Sequence, residues 1–421
     1  MYRLHRRISV PDNVMHFSAT DYDVMVVGGG PAGSTAATIL AQHGHRVAMF
    51  EKDTHPRFHI GESMLPFSEP VLQRLGVDWS QYGIAKGGAE FIDENTDKRM
   101  YFQLSDQRQA YQIERAAFDA ALFDNARKHG VKTYQNTTIT SVDMTVTGVQ
   151  ALAGDVEYYA RYLIDATGRN ALMARRNRSL KRIENLGKFA LYTHFSHVNS
   201  PVSINFFKNG NIIVPIVDIG WIWIIPLAGQ KVSVGLVVSK RGLEGESTTA
   251  LFQNYLQQSA YLTQLLDGAS QDWPIRSEAN FSYINQQRYG MRYVCCGDAA
   301  GFLDPVFSSG VFLALTGGER VADRVHQGLI DNREAEADLH SVDDTDYDLG
   351  FSTMQVFIER FYHTDLIHNV FFEAERDDRI QRDISALLAG DMWSGKNLWQ
   401  QGLLRGRYRR QSRVIDTKPV D

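Results

Sequence analysis

Hydrophobic positions follow two different periods along the chain. Residues 22–27 (Tyr-Asp-Val-Met-Val-Val) are an apolar run without alternation, the pattern of a parallel strand buried on both faces. Ser34 to His43 then carries helical spacing, Gly44 closes that helix, and Arg46 to Phe50 reads as a second strand ending at Glu51. Tyr162 to Asp165 and Tyr293 to Cys296 are further core strands, and Ala116 to His129 an amphipathic helix. From 186 to 284 the pattern alternates instead. Val202 to Phe207, Asn211 to Val217 and Lys231 to Val238 predict strands of an antiparallel sheet. Gly220-Trp-Ile-Trp-Ile-Ile-Pro-Leu227 belongs to the same stretch, and extension puts Trp221 and Trp223 on one wall. Helical spacing returns from Phe312 and again at Phe351, Met354, Phe357, Ile358 and Phe361, while the acidic stretch 331–348 reads as a loop.

These elements predict an α/β protein. The nucleotide-binding part is expected at 20–185 and 285–330, the inserted sheet at 186–284, and a helical region with a basic tail at 331–421. Residues 1–19 lack the apolar segment of a signal peptide and read as a flexible leader, so a cytoplasmic enzyme is expected. The longest apolar run, Ile212 to Leu227, is broken by Asp218 and Gly220 and does not suit a membrane span. With 49 acidic against 44 basic residues the chain is at −5 and shows no nucleic-acid footprint. The basic cluster Arg405 to Arg410 reads as a solvated tail, with docking of an acidic carrier protein as the alternative. The adjacent Cys295 and Cys296 suit reduced core positions, and no cysteine–histidine spacing suggests a metal.

The first strand runs into Gly28-Gly-Gly-Pro31-Ala32-Gly33, and an acid follows about 20 residues on. This is a dinucleotide-binding βαβ unit. Gly28 makes the tight turn, Gly30 lets the backbone approach a pyrophosphate, Gly33 permits close helix packing, and Glu51 takes ribose hydroxyls. Lys86, in Lys86-Gly-Gly-Ala-Glu-Phe91, reads by itself as a solvated lysine. Ser308 or Ser309 reads as an ordinary helix cap. Arg115, at the start of the amphipathic helix, reads by itself as a surface arginine pairing along it. Tyr192, His194 and His197 lie where they could face a substrate, although packed or solvated histidines are the plainer reading.

Taken together these segments resemble the FAD-dependent hydroxylase and halogenase superfamily, whose nucleotide domain is Rossmann-like (of the GR2, para-hydroxybenzoate-hydroxylase type). The resemblance gives Asp298, of the late Gly-Asp, the ribityl chain, and places Asp165 and Gly168 beside the nucleotide. Within that group the chain is similar to the flavin-dependent halogenases. Pro56-Arg57-Phe-His-Ile60-Gly61-Glu62-Ser63-Met-Leu-Pro66 looks like the strap over the flavin, Lys86 matches the catalytic lysine, and Trp221-x-Trp223-x-Ile-Pro completes the set. The resemblance also implies contacts from Pro31, Ala32, Lys52, Pro305 and Val311, makes Arg115 the flavin-contacting arginine as the other reading of that residue, and implies a halide site on the amides of Ser309 and Gly310.

The chemistry so implied is that of a two-component enzyme. A separate NAD(P)H flavin reductase supplies reduced FAD, and dioxygen and a halide ion yield hypohalous acid from a flavin C4a-hydroperoxide. Lys86 relays it to an electron-rich aromatic, while Trp221 and Trp223 keep the substrate away from the flavin. In the tryptophan-modifying branch a glutamate stands at the place of Phe307. Its absence points to a phenol or pyrrole, free or tethered to an acyl or peptidyl carrier protein. A geranylgeranyl-reductase-like monooxygenase or reductase is the alternative, and a non-catalytic flavin-binding partner the third reading.

Overall fold

The structure is a computed structural model that describes residues 22–104, 108–239, 247–364, 367–372 and 378–415. The leader expected at 1–19 lies outside the described residues, as do the side chains from 407 onward in the basic tail.

The apolar runs read as parallel strands pair as such. Tyr293–Cys295, Val156–Asp165, Tyr22–Val27, Val47–Phe50 and Lys132–Tyr134 lie side by side in that order, all parallel. Val24, Val26 and Ile164 face helices Pro31–Gln42, Arg115–Lys128 and Ser309–Ile330, whereas Met25 and Leu163 face a second apolar layer. Burial on both faces is why this sheet needs no polar alternation. Gly28 sits at φ +106, and a Cβ there would lie 2.1 Å from Ala166 O. A side chain is therefore excluded by both conformation and space.

A second eight-stranded sheet stands against the first unit. Strand Gly220–Leu227 pairs antiparallel with Ile212–Val217 and with Lys231–Ser239. Its alternation sorts residues between two cores. Trp221, Trp223, Ile225 and Leu227 enter one with Phe307, Phe357 and Phe361; Ile222 and Ile224 enter another, under the helices of residues 248–265. Burying a side chain of this kind stabilises by roughly 1.5–3 kcal/mol, so the register is strongly specified.

Three expectations are corrected. Ser203–Asn209 is a helix, not a strand. Ser203 Oγ bonds back to Ser200 O at 2.7 Å, Phe206 is buried one turn on, and Gly210 at φ +63 ends the helix. The inserted sheet is mixed and extends beyond 186–284. Gly88–Asp93 joins it parallel to Ile212–Val217, with Lys98–Gln103 at its edge. Finally, the acidic stretch is not all loop, because helix Ser341–His363 begins within it. Asp343 and Asp344 occupy the first turn, where acids complement the helix dipole. They meet Arg324 Nε at 2.9 Å and Arg288 Nε at 2.7 Å.

Candidate functional site

A cavity of about 1050 Å³ opens between the two sheets. The glycine turn forms one part of it, through Gly28, Gly30, Pro31 and Ala32. Gly30 stands at the N-cap of helix Pro31–Gln42 without a side-chain cap, which leaves the positive end of that helix to the cavity. Gly33 lies behind the turn, where a Cβ would be 1.9 Å from Gly28 O; its role is packing. Glu51 lines the cavity while its oxygens take backbone amides, Gly29 N at 2.8 Å and Asp53 N at 3.0 Å. Lys52 follows it at the rim.

The strap contributes Arg57, Ile60, Gly61, Glu62 and Ser63. Contacts from elsewhere in the chain hold it, those of Arg115 and His194 among them. Arg115 donates to Ile60 O at 3.1 Å and Gly61 O at 3.2 Å, and is fastened by a buried pair with Asp119 at 2.8 Å. It is thus a buried residue that both pairs along its helix and lines the cavity, not a surface arginine. Glu62 meets His194 Nε2 at 2.8 Å, so His194 is a packed histidine; His197 is exposed. Ser63 Oγ and Arg57 Nε are buried in the lining without hydrogen-bond partners. An unpartnered hydroxyl, an arginine held by ion pairs with Glu51 and Asp119, a capless helix start and this volume suit a phosphorylated, multi-ring cofactor such as FAD.

Asp298 and Gly168 line the cavity as well. Burial pushes the Asp298 carboxyl up to about 6, against the opposing pull of Arg115 and Arg169. Asp165 does not reach the cavity. Its oxygens accept from Thr167 N at 3.0 Å, Thr167 Oγ1 at 2.6 Å and Met173 N at 2.7 Å, so it builds the turn behind the site. Pro305, Gly310 and Val311 line the cavity, and Ser309 is buried beside them. Ser308, at φ +55, stands at the N-cap of helix Ser309–Ile330 without a side-chain cap; the capping reading fails there.

Trp221 and Trp223 share one wall with ring centroids 6.0 Å apart. Their indole N–H groups donate to Tyr362 Oη at 2.7 Å and Ser233 Oγ at 3.1 Å. Gly235 pairs opposite Trp223, and a Cβ there would lie 2.1 Å from the indole ring.

Lys86 stands outside the cavity lining, yet it is not solvated. It ends strand Gly83–Lys86, 5% exposed, and its Nζ donates to Met64 O of the strap at 3.0 Å. Burial without a carboxylate partner pulls its amine down to about 7. Phe307 is stacked on Phe357 at 4.2 Å.

Sequence reasoning missed Arg276, Asp304 and Tyr362. Arg276 lines the cavity and lies over the Phe58 ring at 4.4 Å. Asp304 lines it too, its carboxyl raised to about 6 by burial, and Tyr362 bonds to that carboxylate. Nothing local marks them, because each acts through a partner far along the chain.

Comparison with known proteins bears on this site. The profile of the tryptophan halogenase family matches residues 23–103 and 84–402. The chain is similar to a 1H-pyrrole-2-carbonyl (peptidyl-carrier protein) chlorinase of Pseudomonas fluorescens, 31% identical over 90% of this chain and 91% of that protein. It is also similar to a tryptophan 2-halogenase of Chondromyces crocatus, 33% identical over 69% of this chain and 58% of that one. A solved flavoprotein/dehydrogenase from Cytophaga hutchinsonii superposes with a TM-score of 0.82 at 26% identity, covering 92% of this chain and 100% of that one.

Proposed function

Because the chain belongs to the flavin-dependent halogenase family, and is therefore an FAD-dependent enzyme, we propose that it halogenates a pyrrole ring tethered to a carrier protein. The end-to-end match to the pyrrolyl-carrier chlorinase supports this substrate over tryptophan, whose halogenating relative is matched over only 58% of its length. The observation that carries the reading is the paired indoles in the wall of a cavity that also holds the glycine turn and the strap.

Gly28, Gly30 and the start of helix Pro31–Gln42 would hold the pyrophosphate, Glu51 a ribose, and Arg57, Arg115 and Asp298 the remainder of FAD. Bound reduced FAD supplies the reduction of dioxygen that oxidises a halide ion to hypohalous acid; a separate reductase provides it. Trp221 and Trp223, each held through its N–H, exclude the ring substrate from the cofactor. Lys86, with its amine near 7, offers both forms at neutral pH. The ammonium hydrogen-bonds hypohalous acid, and the free amine forms a haloamine with release of water.

The test is a turnover assay with a flavin reductase, NADH, FAD and chloride or bromide. Pyrrole-2-carbonyl carrier protein, free pyrrole-2-carboxylate and tryptophan are supplied in parallel. Halogen isotope pairs on the carrier-bound ring are expected. Hydroxylated or saturated product independent of halide would favour the monooxygenase or reductase reading, to which the likeness to a flavoprotein/dehydrogenase lends support.

A further inference from the structure

A chain of hydrogen bonds joins three segments remote in sequence. Trp221 Nε1–H donates to Tyr362 Oη at 2.7 Å. Tyr362 Oη in turn donates to the Asp304 carboxylate, whose oxygens stand at 3.1 and 3.0 Å. Asp304 Oδ1 also accepts Val306 N–H at 3.0 Å, which starts the short turn Pro305–Phe307 before the long helix. The hydroxyl thus spends its proton on Asp304 and a lone pair on the indole. Lys188 Nζ lies 3.9 Å from the centroid of the Tyr362 ring and adds a cation–π contact. Trp221 and Asp304 line the cavity, and Tyr362 stands behind them in the last turn of helix Ser341–His363. Trp223 differs, for its N–H bonds within its own sheet.

We propose that Tyr362 is a positioning residue that fixes the Trp221 ring and couples it, through Asp304, to the loop entering the long helix. The consequence for turnover rests on the halogenase reading; the contact itself does not. Without this acceptor the indole N–H is buried and unpaired, and the ring turns to find another partner. The wall that keeps substrate and oxidant chemistry apart then loosens. Helix Ser341–His363, not the sheet alone, sets that wall.

The experiment compares wild type, Tyr362→Phe, Trp221→Phe and the double variant with FAD and a reductase. Tyr362→Phe is expected to bind FAD within about twofold of wild type and to melt within a few degrees of it. It should give at least about fivefold less halogenated product per reduced flavin consumed, with the difference recovered as hydrogen peroxide. Adding Tyr362→Phe to Trp221→Phe should cost nothing more, since it acts through that ring. Equal coupling in wild type and Tyr362→Phe, or an additive loss in the double variant, overturns the proposal. The ¹⁵N indole resonance of Trp221 reports independently of turnover, and should shift and exchange faster in Tyr362→Phe. An unchanged resonance also overturns it. If wild type yields no halogenated product while the resonance responds, the functional reading fails and the positioning role stands.

Discussion

Lys86 shows how far a single residue departs from its type. A lysine followed by two glycines reads as solvated, but here Gly87 N bonds Asn209 O at 3.1 Å and the strand is clasped against the turn at Asn209–Gly210. Burial alone lowers the amine from 10.5 to about 7. In the unfolded chain it keeps its proton up to about 10.4. Between those values the unfolded state binds more protons, so stability rises with pH there. The cost of this lysine is full below pH 7 and fades as pH climbs towards 10.5. Lys86→Met is therefore expected to raise the melting temperature at pH 6 by the equivalent of roughly a few kcal/mol, and by less at pH 9. A gain that grows with pH would refute the sign. For activity, Lys86→Ala should remove halogenated product by about a hundredfold or more while FAD binding, followed by flavin fluorescence, stays the same. Normal halogenation by that variant ends the role proposed for it. The position of Lys86 in its motif was legible in the sequence. Its carbonyl partner on the strap was not, because Met64 reaches it only through the fold.

Among the elements, the tryptophan strand was the most legible, and segments 203–209 and 341–348 the least so. Period-two alternation over Gly220–Leu227 sorts side chains to two cores as written. What the alternation could not reveal is that Gly235, on the neighbouring strand, vacates the space of the Trp223 ring. Gly235→Ala should cost about 1–3 kcal/mol in a denaturant melt and loosen the wall; unchanged stability would show that the ring relocates freely. The strap has a comparable hidden anchor. Arg115 reaches it only because Asp119, one helical turn on, neutralises a buried guanidinium. Asp119→Asn leaves that charge uncompensated, for an expected loss of about 3–5 kcal/mol together with weaker FAD binding by titration. Retained affinity would detach the strap from this pair. The segments 203–209 and 341–348 misled in opposite ways. An apolar alternation proved helical once Ser203 and Gly210 bounded it, and an acidic run proved to be a helix start because arginines of other elements meet it.

At the scale of the whole molecule, the cavity draws its lining from the glycine turn, the strap, the tryptophan strand and the start of the long helix. A cofactor spanning these should tie the two sheets together. At a hundredfold excess over Kd it would stabilise by about 2.7 kcal/mol, roughly 3 °C for a chain of this length. Calorimetry with and without FAD checks this, and no shift would mean that the cavity is not its site. Among the described residues no helix is long and apolar enough to cross a membrane, and no cluster of histidine, cysteine and acidic side chains could hold a metal ion. The chain by itself determined the buried parallel strands, the glycine turn and the placing of both tryptophans on one wall. Each is written in neighbouring residues, where conformation and period act locally. Only the tertiary structure decided that Asp165 turns away from the cavity, that Lys86 is buried, and that Tyr362 and Asp304 hold Trp221. Burial and hydrogen-bond partnership depend on elements brought together across the chain, and local pattern carries no record of which partner arrives.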